Sequence, residues 1–89
     1  MPHYVYIIYS KTFDKYYKGS SHNPYQRLEV HNLGKSRWTS NFLPWEIVFI
    51  QSFATKKEAL IRERKLKKYS KDQILDLVGT SINEFICKG

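Results

Sequence analysis

The feature that most constrains the fold is a short run near the start of the chain, residues 4–9, which reads Tyr-Val-Tyr-Ile-Ile-Tyr. All six residues are aromatic or β-branched, and both alternating faces of the run are apolar. That pattern is typical of a β-strand that is covered on both sides. In a chain of only 89 residues, we therefore expect this strand to lie in the middle of a small sheet, with other elements packed on each face.

Turn and cap signals divide the next part of the chain. A polar stretch, residues 10–15, predicts a turn into a second strand at residues 16–19, so that the first two strands form an antiparallel hairpin. Asn23-Pro24 predicts a helix start, because Asn caps helices and Pro is favoured at the first helical position. The helix should run to about residue 33 and stop at Gly34.

The second half of the chain contains one more strand and two more helices. The strand is predicted over residues 45–53, which are again apolar and β-branched. Thr55 is a good N-cap for a helix from residue 56 to about 69, and Ser70 for a short helix over residues 71–78.

These segments give the order β-β-α-β-α-α and an α+β domain over residues 1–79. The first helix carries the chain across the central strand through a right-handed connection. The prediction is therefore a three-stranded antiparallel sheet in the order 2-1-3, flanked by helices. For the C-terminal tail, residues 80–89, the sequence leaves both order and flexibility open.

The chain is strongly basic, with a formal net charge of +7 and a pI near 9.6. Small domains this basic usually bind a polyanion, and nucleic acid is the first candidate. An anionic membrane surface, or a merely solvated basic face, stays open on charge alone. The single cysteine, Cys87, excludes an intramolecular disulfide and a Cys-cluster zinc site. No apolar run approaches the ~20 residues of a membrane span, and no signal peptide is visible, so we expect a cytoplasmic protein without a membrane partner.

One acidic residue of the second helix occupies an unusual position. On a helical wheel, Glu63 lies within the apolar stripe formed by Ala59, Leu60 and Leu66. A carboxylate there is costly unless it is paired or bound to a cation. An ion pair with Lys67, four residues later, is the structural alternative.

Two pairs of polar residues complete the candidate site. Arg27 and His31 are four residues apart and share one face of the first helix, where they could hold a phosphate and move a proton. Tyr6 and Tyr17 should lie roughly across the hairpin from each other, and Gly19 would allow another group to approach closely. A surface Arg and His, and two core tyrosines, are the structural alternatives.

Taken together, these residues resemble the GIY-YIG nuclease superfamily, and most closely its small stand-alone bacterial branch. Tyr4-Val5-Tyr6 and Tyr17-Lys18-Gly19 are similar to the two half-motifs. They are followed by Arg27 in an Arg-Leu-x-x-His-Asn stretch and by Glu63 in a Glu-Ala-Leu-x-x-Glu stretch. The resemblance covers residues 4–69.

The resemblance implies an endonuclease that hydrolyses DNA phosphodiester bonds with one divalent metal ion, Mg²⁺ or Mn²⁺. The implied roles are general base for Tyr6, positioning of the nucleophilic water for Tyr17, binding of the scissile phosphate for Arg27, assistance to the base for His31, and metal ligation for Glu63.

The sequence departs from the family pattern at three points. Tyr4 stands where the first half-motif has Gly, and Lys18 stands where the second has Ile. The superfamily also has a later polar residue, often Asn, and the first Asn after Glu63 is Asn83, in the unassigned tail. The catalytic set is therefore complete only up to Glu63.

The loop before the third strand carries Lys35, Arg37 and Trp38, which are candidates for nucleic-acid binding. Positive charge beside an exposed aromatic ring can hold a backbone and stack on a base, although Trp38 could equally pack on its own loop. DNA is the expected partner, RNA stays open, and targeting would fall to a protein partner or an oligomer. A non-catalytic nucleic-acid-binding module with the same fold, and an interaction domain that recruits a partner, are the alternative functions.

Overall fold

The computed structural model describes residues 2–87, with side chains for residues 2–85. Within that range, β1 (His3–Ser10), β2 (Lys15–Ser21) and β3 (Glu46–Phe53) form one sheet in the order β2-β1-β3. Both outer strands run antiparallel to β1. The predicted sheet is therefore confirmed, including the central place of the strand that is apolar on both faces.

The first three α-helices follow the predicted cap signals, whereas the 3-10 helix and the last α-helix are not among the predicted elements. The described elements are α1 (Pro24–Asn32), a short 3-10 helix (Thr39–Phe42), α2 (Lys56–Leu66), α3 (Lys71–Val78) and α4 (Glu84–Cys87). The side chains of Asn23, Thr55 and Ser70 each accept a hydrogen bond from a backbone N–H in the first turn of the helix they precede. None of the described helices has the length and apolar character needed to cross a membrane.

β2 and α2 are the two elements whose bounds differ from the prediction by two residues or more. β2 extends to both sides of the predicted segment, because it pairs with β1 along the whole stretch from Tyr4–Ser21 to Ser10–Lys15. That long-range pairing outweighs the polar composition of the strand ends. In contrast, α2 ends at Leu66 rather than near residue 69, and Tyr69 packs instead against the hydrophobic core.

The sheet separates two hydrophobic layers, because successive side chains of β1 point to opposite faces. Val5 and Ile7 pack with α2 and α3, in a cluster that also contains Phe49, Ala59, Leu66, Ile74 and Leu77. Tyr6 and Ile8 lie on the other face, in a cluster with Trp45, Ile47 and Ile50 that reaches Leu28 of α1 and Phe42 of the 3-10 helix. The residues at the centre of the candidate site lie in this second layer.

The turn between β1 and β2 is fixed to α3. Asp14 has a φ of 53°, a left-handed conformation that Asp tolerates better than most residues. Its carboxylate accepts a hydrogen bond of 2.9 Å from the Tyr9 hydroxyl and pairs with Lys71 at the start of α3. The hairpin end therefore has a defined position against the helical layer.

Residues 80–85 pack along the outer edge of β3, and buried Asn83 is the centre of that contact. Its Oδ1 accepts from the N–H of Ile50 at 3.1 Å, and its Nδ2 donates to the carbonyl of Val48 at 2.8 Å. The same amide also bonds the backbone of Val78 and Phe85. All four of its hydrogen-bonding positions are used by the fold, which leaves none for a ligand.

We expect Asn83→Ala to lower the free energy of unfolding by about 2–3 kcal/mol, because backbone groups of β3 and α3 lose their buried partner. Urea denaturation measures the change. Asn41→Ala is the matched control, since the exposed Asn41 amide makes only a long 3.4 Å bond in the 3-10 helix and its loss should cost less than about 0.5 kcal/mol. Equal losses in the two variants would contradict the structural role of Asn83.

Candidate active site

The phenol of Tyr6 lies at the centre of the site, in a space that only a glycine leaves open. Tyr6 is directly opposite Gly19 in the hairpin, and Tyr17 is opposite Ile8, so the two tyrosines are diagonal rather than facing neighbours. A Cβ atom on Gly19 would lie 2.6 Å from the Tyr6 hydroxyl oxygen and 3.2 Å from the Tyr17 ring. The close approach predicted at Gly19 is therefore the approach of the Tyr6 hydroxyl.

Helix α1 places an imidazole against this phenol. The Tyr6 hydroxyl and the Nε2 atom of His31 are 3.2 Å apart, and both side chains are buried, with exposed fractions of 1% and 0%. A buried hydroxyl and a buried imidazole each need a hydrogen-bond partner. Each supplies that partner for the other.

The other ring nitrogen of His31 contacts a residue that the sequence did not single out. His31 Nδ1 lies 2.8 Å from the hydroxyl oxygen of Thr39, which is also buried. The Thr39 carbonyl accepts a 2.9 Å bond from the indole Nε1 of Trp45. Nothing in the local sequence marks Thr39, because its role depends on a loop that folds back onto α1.

Tyr17 connects the buried pair to the surface. Its ring centroid lies 4.9 Å from that of His31 and 6.1 Å from that of Trp38, with the Trp38 and Tyr17 planes inclined by 29°. Trp38 also contacts the rings of Phe42 and Trp45, yet it is 47% exposed. Trp38 thus packs on its own loop and keeps a free surface.

Burial and the neighbouring charges raise the pKa of Tyr6. Desolvation is the largest cause, and the charges of Tyr17 and Glu63 act in the same direction, whereas the hydrogen bond and positive charge of Arg27 lower the pKa. Arg27 extends from α1, one turn before His31. Arg27 and Glu63 are therefore close enough to the phenol to act on it electrostatically.

The pKa of His31 is shifted in the opposite sense. Desolvation lowers it, and the positive charge of Arg27 lowers it further. Both causes disfavour the imidazolium form. At neutral pH the site therefore holds a protonated phenol beside a neutral imidazole, which is the arrangement in which the imidazole can accept a proton.

Glu63 lies on α2, between Ala59 and Leu66, which pack in the layer around Val5 and Ile7. Its side chain is 15% exposed, and its carboxylate pairs with Lys67 at a distance of 3.0 Å. The half-buried position predicted from the apolar stripe is present, and so is the ion pair that was its structural alternative. Within the described part of the chain, no group of three or more His, Cys, Asp or Glu side chains is arranged to hold a metal ion.

The basic residues of the loop lie outside the buried group. Lys35 and Arg37 are exposed, and the loop that carries them is closed by the bond from the Ser40 hydroxyl to the Arg37 carbonyl, 2.8 Å. The structure therefore brings Tyr6, Tyr17 and His31 into contact, sets Arg27 and Glu63 within electrostatic reach, and leaves Lys35 and Arg37 on the adjacent surface.

The chain is similar over most of its length to known proteins. Residues 2–75 match the family model described as the GIY-YIG catalytic domain. The UPF0213 protein SH2523 of Staphylococcus haemolyticus is 35% identical over 77 residues, which is 85% of this chain and 93% of that protein. The UPF0213 protein HQ_3675A of Haloquadratum walsbyi is 32% identical over 85 residues, covering 92% and 94%.

A solved structure supports the same relationship. The solution NMR structure of the UPF0213 protein BH0048 from Bacillus halodurans matches with a TM-score of 0.58 and 29% identity, covering 96% of this chain and 90% of that one. The resemblance deduced from the half-motifs is thus confirmed by the family match, and the predicted α+β architecture by the structural neighbour.

The lowered pKa of His31 predicts a loss of stability in acid. Because the folded pKa lies below the usual value of about 6.5, protons bind more strongly to the unfolded chain. The stability contributed by neutral His31 is present above about pH 6.5 and is lost as the pH falls through the folded pKa. Urea denaturation between about pH 5 and pH 8 should show a steeper decline for the wild type than for His31→Gln. An exposed histidine supplies the matched control variant, His22→Gln. Identical slopes in all three proteins would contradict the assignment to His31.

Proposed function

The chain belongs to the GIY-YIG catalytic domain family, and from that premise we propose that it is a metal-dependent endonuclease that hydrolyses DNA phosphodiester bonds. The observation that carries the proposal is the buried contact between the Tyr6 hydroxyl and His31 Nε2, 3.2 Å, with Arg27 acting on the same phenol. A proton-accepting pair beside a cation is an arrangement that general acid–base catalysis on a phosphate can use.

Hydrolysis forms a bond from a water oxygen to phosphorus and breaks the bond from phosphorus to the leaving sugar oxygen, which takes up a proton from solvent. The raised pKa of Tyr6 makes free phenolate a costly species. We therefore assign a coupled transfer, in which the attacking water gives its proton to the Tyr6 oxygen while the Tyr6 proton passes to Nε2 of His31. The transfer ends with an imidazolium at His31, and the phenol stays neutral throughout.

In this scheme Arg27 binds the scissile phosphate. The guanidinium has five N–H donors in a planar fork, so one of them can bond the Tyr6 oxygen while others bond the scissile phosphate. That position sets the phosphorus beside the water that Tyr6 activates. It also places positive charge where the transition state of phosphoryl transfer carries additional negative charge.

Glu63 is the residue that would hold the metal ion. A lone carboxylate fits Mg²⁺ or Mn²⁺, because Mg²⁺ keeps several waters and is held by one or two carboxylates together with substrate phosphates. The described residues offer no set of His and Cys ligands of the kind that zinc takes. When bound, such an ion supplies Lewis-acid stabilisation of the phosphate oxygens.

The DNA contact extends over the loop that carries Lys35, Arg37 and Trp38. The two cations are exposed and suit backbone phosphates, and the free surface of Trp38 suits stacking on a base. RNA offers the same phosphates, so it is a competing ligand rather than a separate function. The choice of target site is assigned to a protein partner or to self-association.

Two substitutions test catalysis directly. Glu63→Gln should reduce plasmid nicking in Mg²⁺ by about two to four orders of magnitude, since it removes a charge at nearly constant size. Tyr6→Phe should reduce nicking by at least about 10²-fold, because it removes only the hydroxyl that relays the proton. Both variants should bind a labelled oligonucleotide nearly as tightly as the wild type. A chelator should abolish wild-type nicking.

The Glu63 variant has a matched control in its ion-pair partner. If Glu63 serves only the pair with Lys67, then Lys67→Met should impair nicking as severely as Glu63→Gln. If Glu63 holds the metal, Lys67→Met should keep activity near the wild-type rate. DNA binding by the wild type without cleavage in Mg²⁺ or Mn²⁺ would instead identify a non-catalytic nucleic-acid-binding module.

The loop contact is tested by salt dependence. Counterion release makes log affinity fall linearly with log salt, by about 0.9 for each phosphate contact. Replacing Lys35 and Arg37 with Ala should therefore flatten the slope by roughly two units. Replacing the exposed Lys56 and Lys57 with Ala removes the same charge from the start of α2 and should change the slope less. If the two double variants have equal slopes, Lys35 and Arg37 contribute no more to DNA binding than other exposed lysines do.

A further inference from the structure

Among the described residues, His31 supplies the one hydrogen-bond acceptor for the hydroxyl proton of Tyr6. A buried O–H must donate to an acceptor. Arg27, which lies close enough to lower the pKa of the same phenol, has only donors. Nε2 of His31, at 3.2 Å, is therefore the acceptor, and an accepting ring nitrogen carries no proton.

The position of the imidazole proton follows from this. A neutral histidine carries its proton on one ring nitrogen only, so a bare Nε2 places the proton on Nδ1. Nδ1 lies 2.8 Å from the Thr39 hydroxyl oxygen and donates to it. The Thr39 hydroxyl then has its own proton free, and this is donated to the Ser36 carbonyl at 3.4 Å. The three hydrogen bonds that link Tyr6, His31, Thr39 and Ser36 therefore all donate in one direction, from Tyr6 towards Ser36.

We propose that Thr39 is a positioning residue that holds His31 in the Nδ1–H tautomer, so that Nε2 faces Tyr6 as a proton acceptor. The opposite tautomer would place an N–H against the Tyr6 oxygen and leave no acceptor for the phenol proton. The consequence for the cleavage rate depends on the function proposed above. The tautomer itself does not, because it follows from hydrogen-bond partners alone.

Thr39 is well suited to this role because its backbone is fixed from a second direction. Its carbonyl accepts the indole N–H of Trp45 at 2.9 Å. The backbone of Trp45 is in turn held by the Asn32 amide, which donates to the Trp45 carbonyl at 3.0 Å and accepts from its N–H at 2.7 Å. Asn32 follows His31 directly. The imidazole and the Thr39 hydroxyl that orients it are therefore both held in place by the C-terminal end of α1.

The tautomer can be measured on the wild-type protein without any substitution. Long-range ¹H–¹⁵N NMR spectra of ¹⁵N-histidine-labelled protein at about pH 8, above the usual histidine pKa of about 6.5, distinguish a protonated Nδ1 from a protonated Nε2. We expect the His31 proton on Nδ1, with the exposed His22 as an internal reference. A proton on Nε2 of His31 would overturn the proposal outright.

Three variants test the cause. Thr39→Val keeps the shape but removes the hydroxyl, and it should move the His31 proton towards Nε2. Thr39→Ser keeps the hydroxyl and should keep the proton on Nδ1. Ser40→Ala removes the neighbouring hydroxyl, which bonds the Arg37 carbonyl rather than His31, and should leave the tautomer unchanged. If Thr39→Val folds but leaves the proton on Nδ1, Thr39 is not what fixes it. Should Thr39→Val fail to fold, Thr39→Ala is read in the same way, and the wild-type spectrum still decides the tautomer.

Nicking rates then connect the tautomer to catalysis. Thr39→Val should lower the rate on the order of 10- to 100-fold, the same scale as losing a residue that orients a metal-binding histidine. Thr39→Ser should restore it to within a few-fold. A shifted tautomer with an unchanged rate would overturn the positioning role. If Tyr6→Phe cleaves at the wild-type rate, the proposed mechanism fails, whereas the wild-type NMR result still stands or falls separately.

Discussion

Burial of one hydroxyl group explains much of the arrangement around the site. Tyr6 is on the central strand and is almost fully buried, and a buried hydroxyl without a partner costs on the order of 1–3 kcal/mol. The space for it exists because Gly19 has no side chain. Its partner is the imidazole of His31, and that imidazole needs a partner of its own, which is Thr39. Each buried polar group therefore fixes the next.

This sequence of contacts also links the site to the stability of the domain. The Thr39 carbonyl and the Asn32 side chain both bond Trp45, which stands at the entry to β3 and is itself part of the hydrophobic layer around Tyr6. In a domain of this size the core is small, and the same residues must serve packing and chemistry. Changes at the site are expected to be felt in the fold for that reason.

The electrostatic design separates a neutral interior from a cationic surface. Burial and nearby charges keep the phenol protonated and the imidazole neutral, although the chain as a whole carries a net charge of +7. The exposed cations attract a polyanion over a distance set by the ionic strength. Arg27, which is half-buried, is the cation whose charge acts on both the phenol and the imidazole of the interior.

Local patterns in the sequence predicted the three strands and the helices α1, α2 and α3, and they marked the candidate site residues. The two-sided apolar strand, the caps at Asn23, Thr55 and Ser70, and the carboxylate of Glu63 within an apolar stripe can all be read from neighbours a few residues apart, because strand and helix periodicities are local. The strand order followed as well, from the two-sided strand and the handedness of the connection.

Only the tertiary structure decided which of these residues meet. Tyr6 faces Gly19 rather than Tyr17, because the hairpin register, and not the spacing of the two tyrosines, sets the pairing. Tyr6 and His31 are 25 residues apart, and Asn83 bonds an edge strand 33 residues earlier. Thr39 carries no signal of its role in the sequence at all. Contacts of this kind depend on how loops close over the packed layers, and that closure is determined by the chain as a whole rather than by any local pattern.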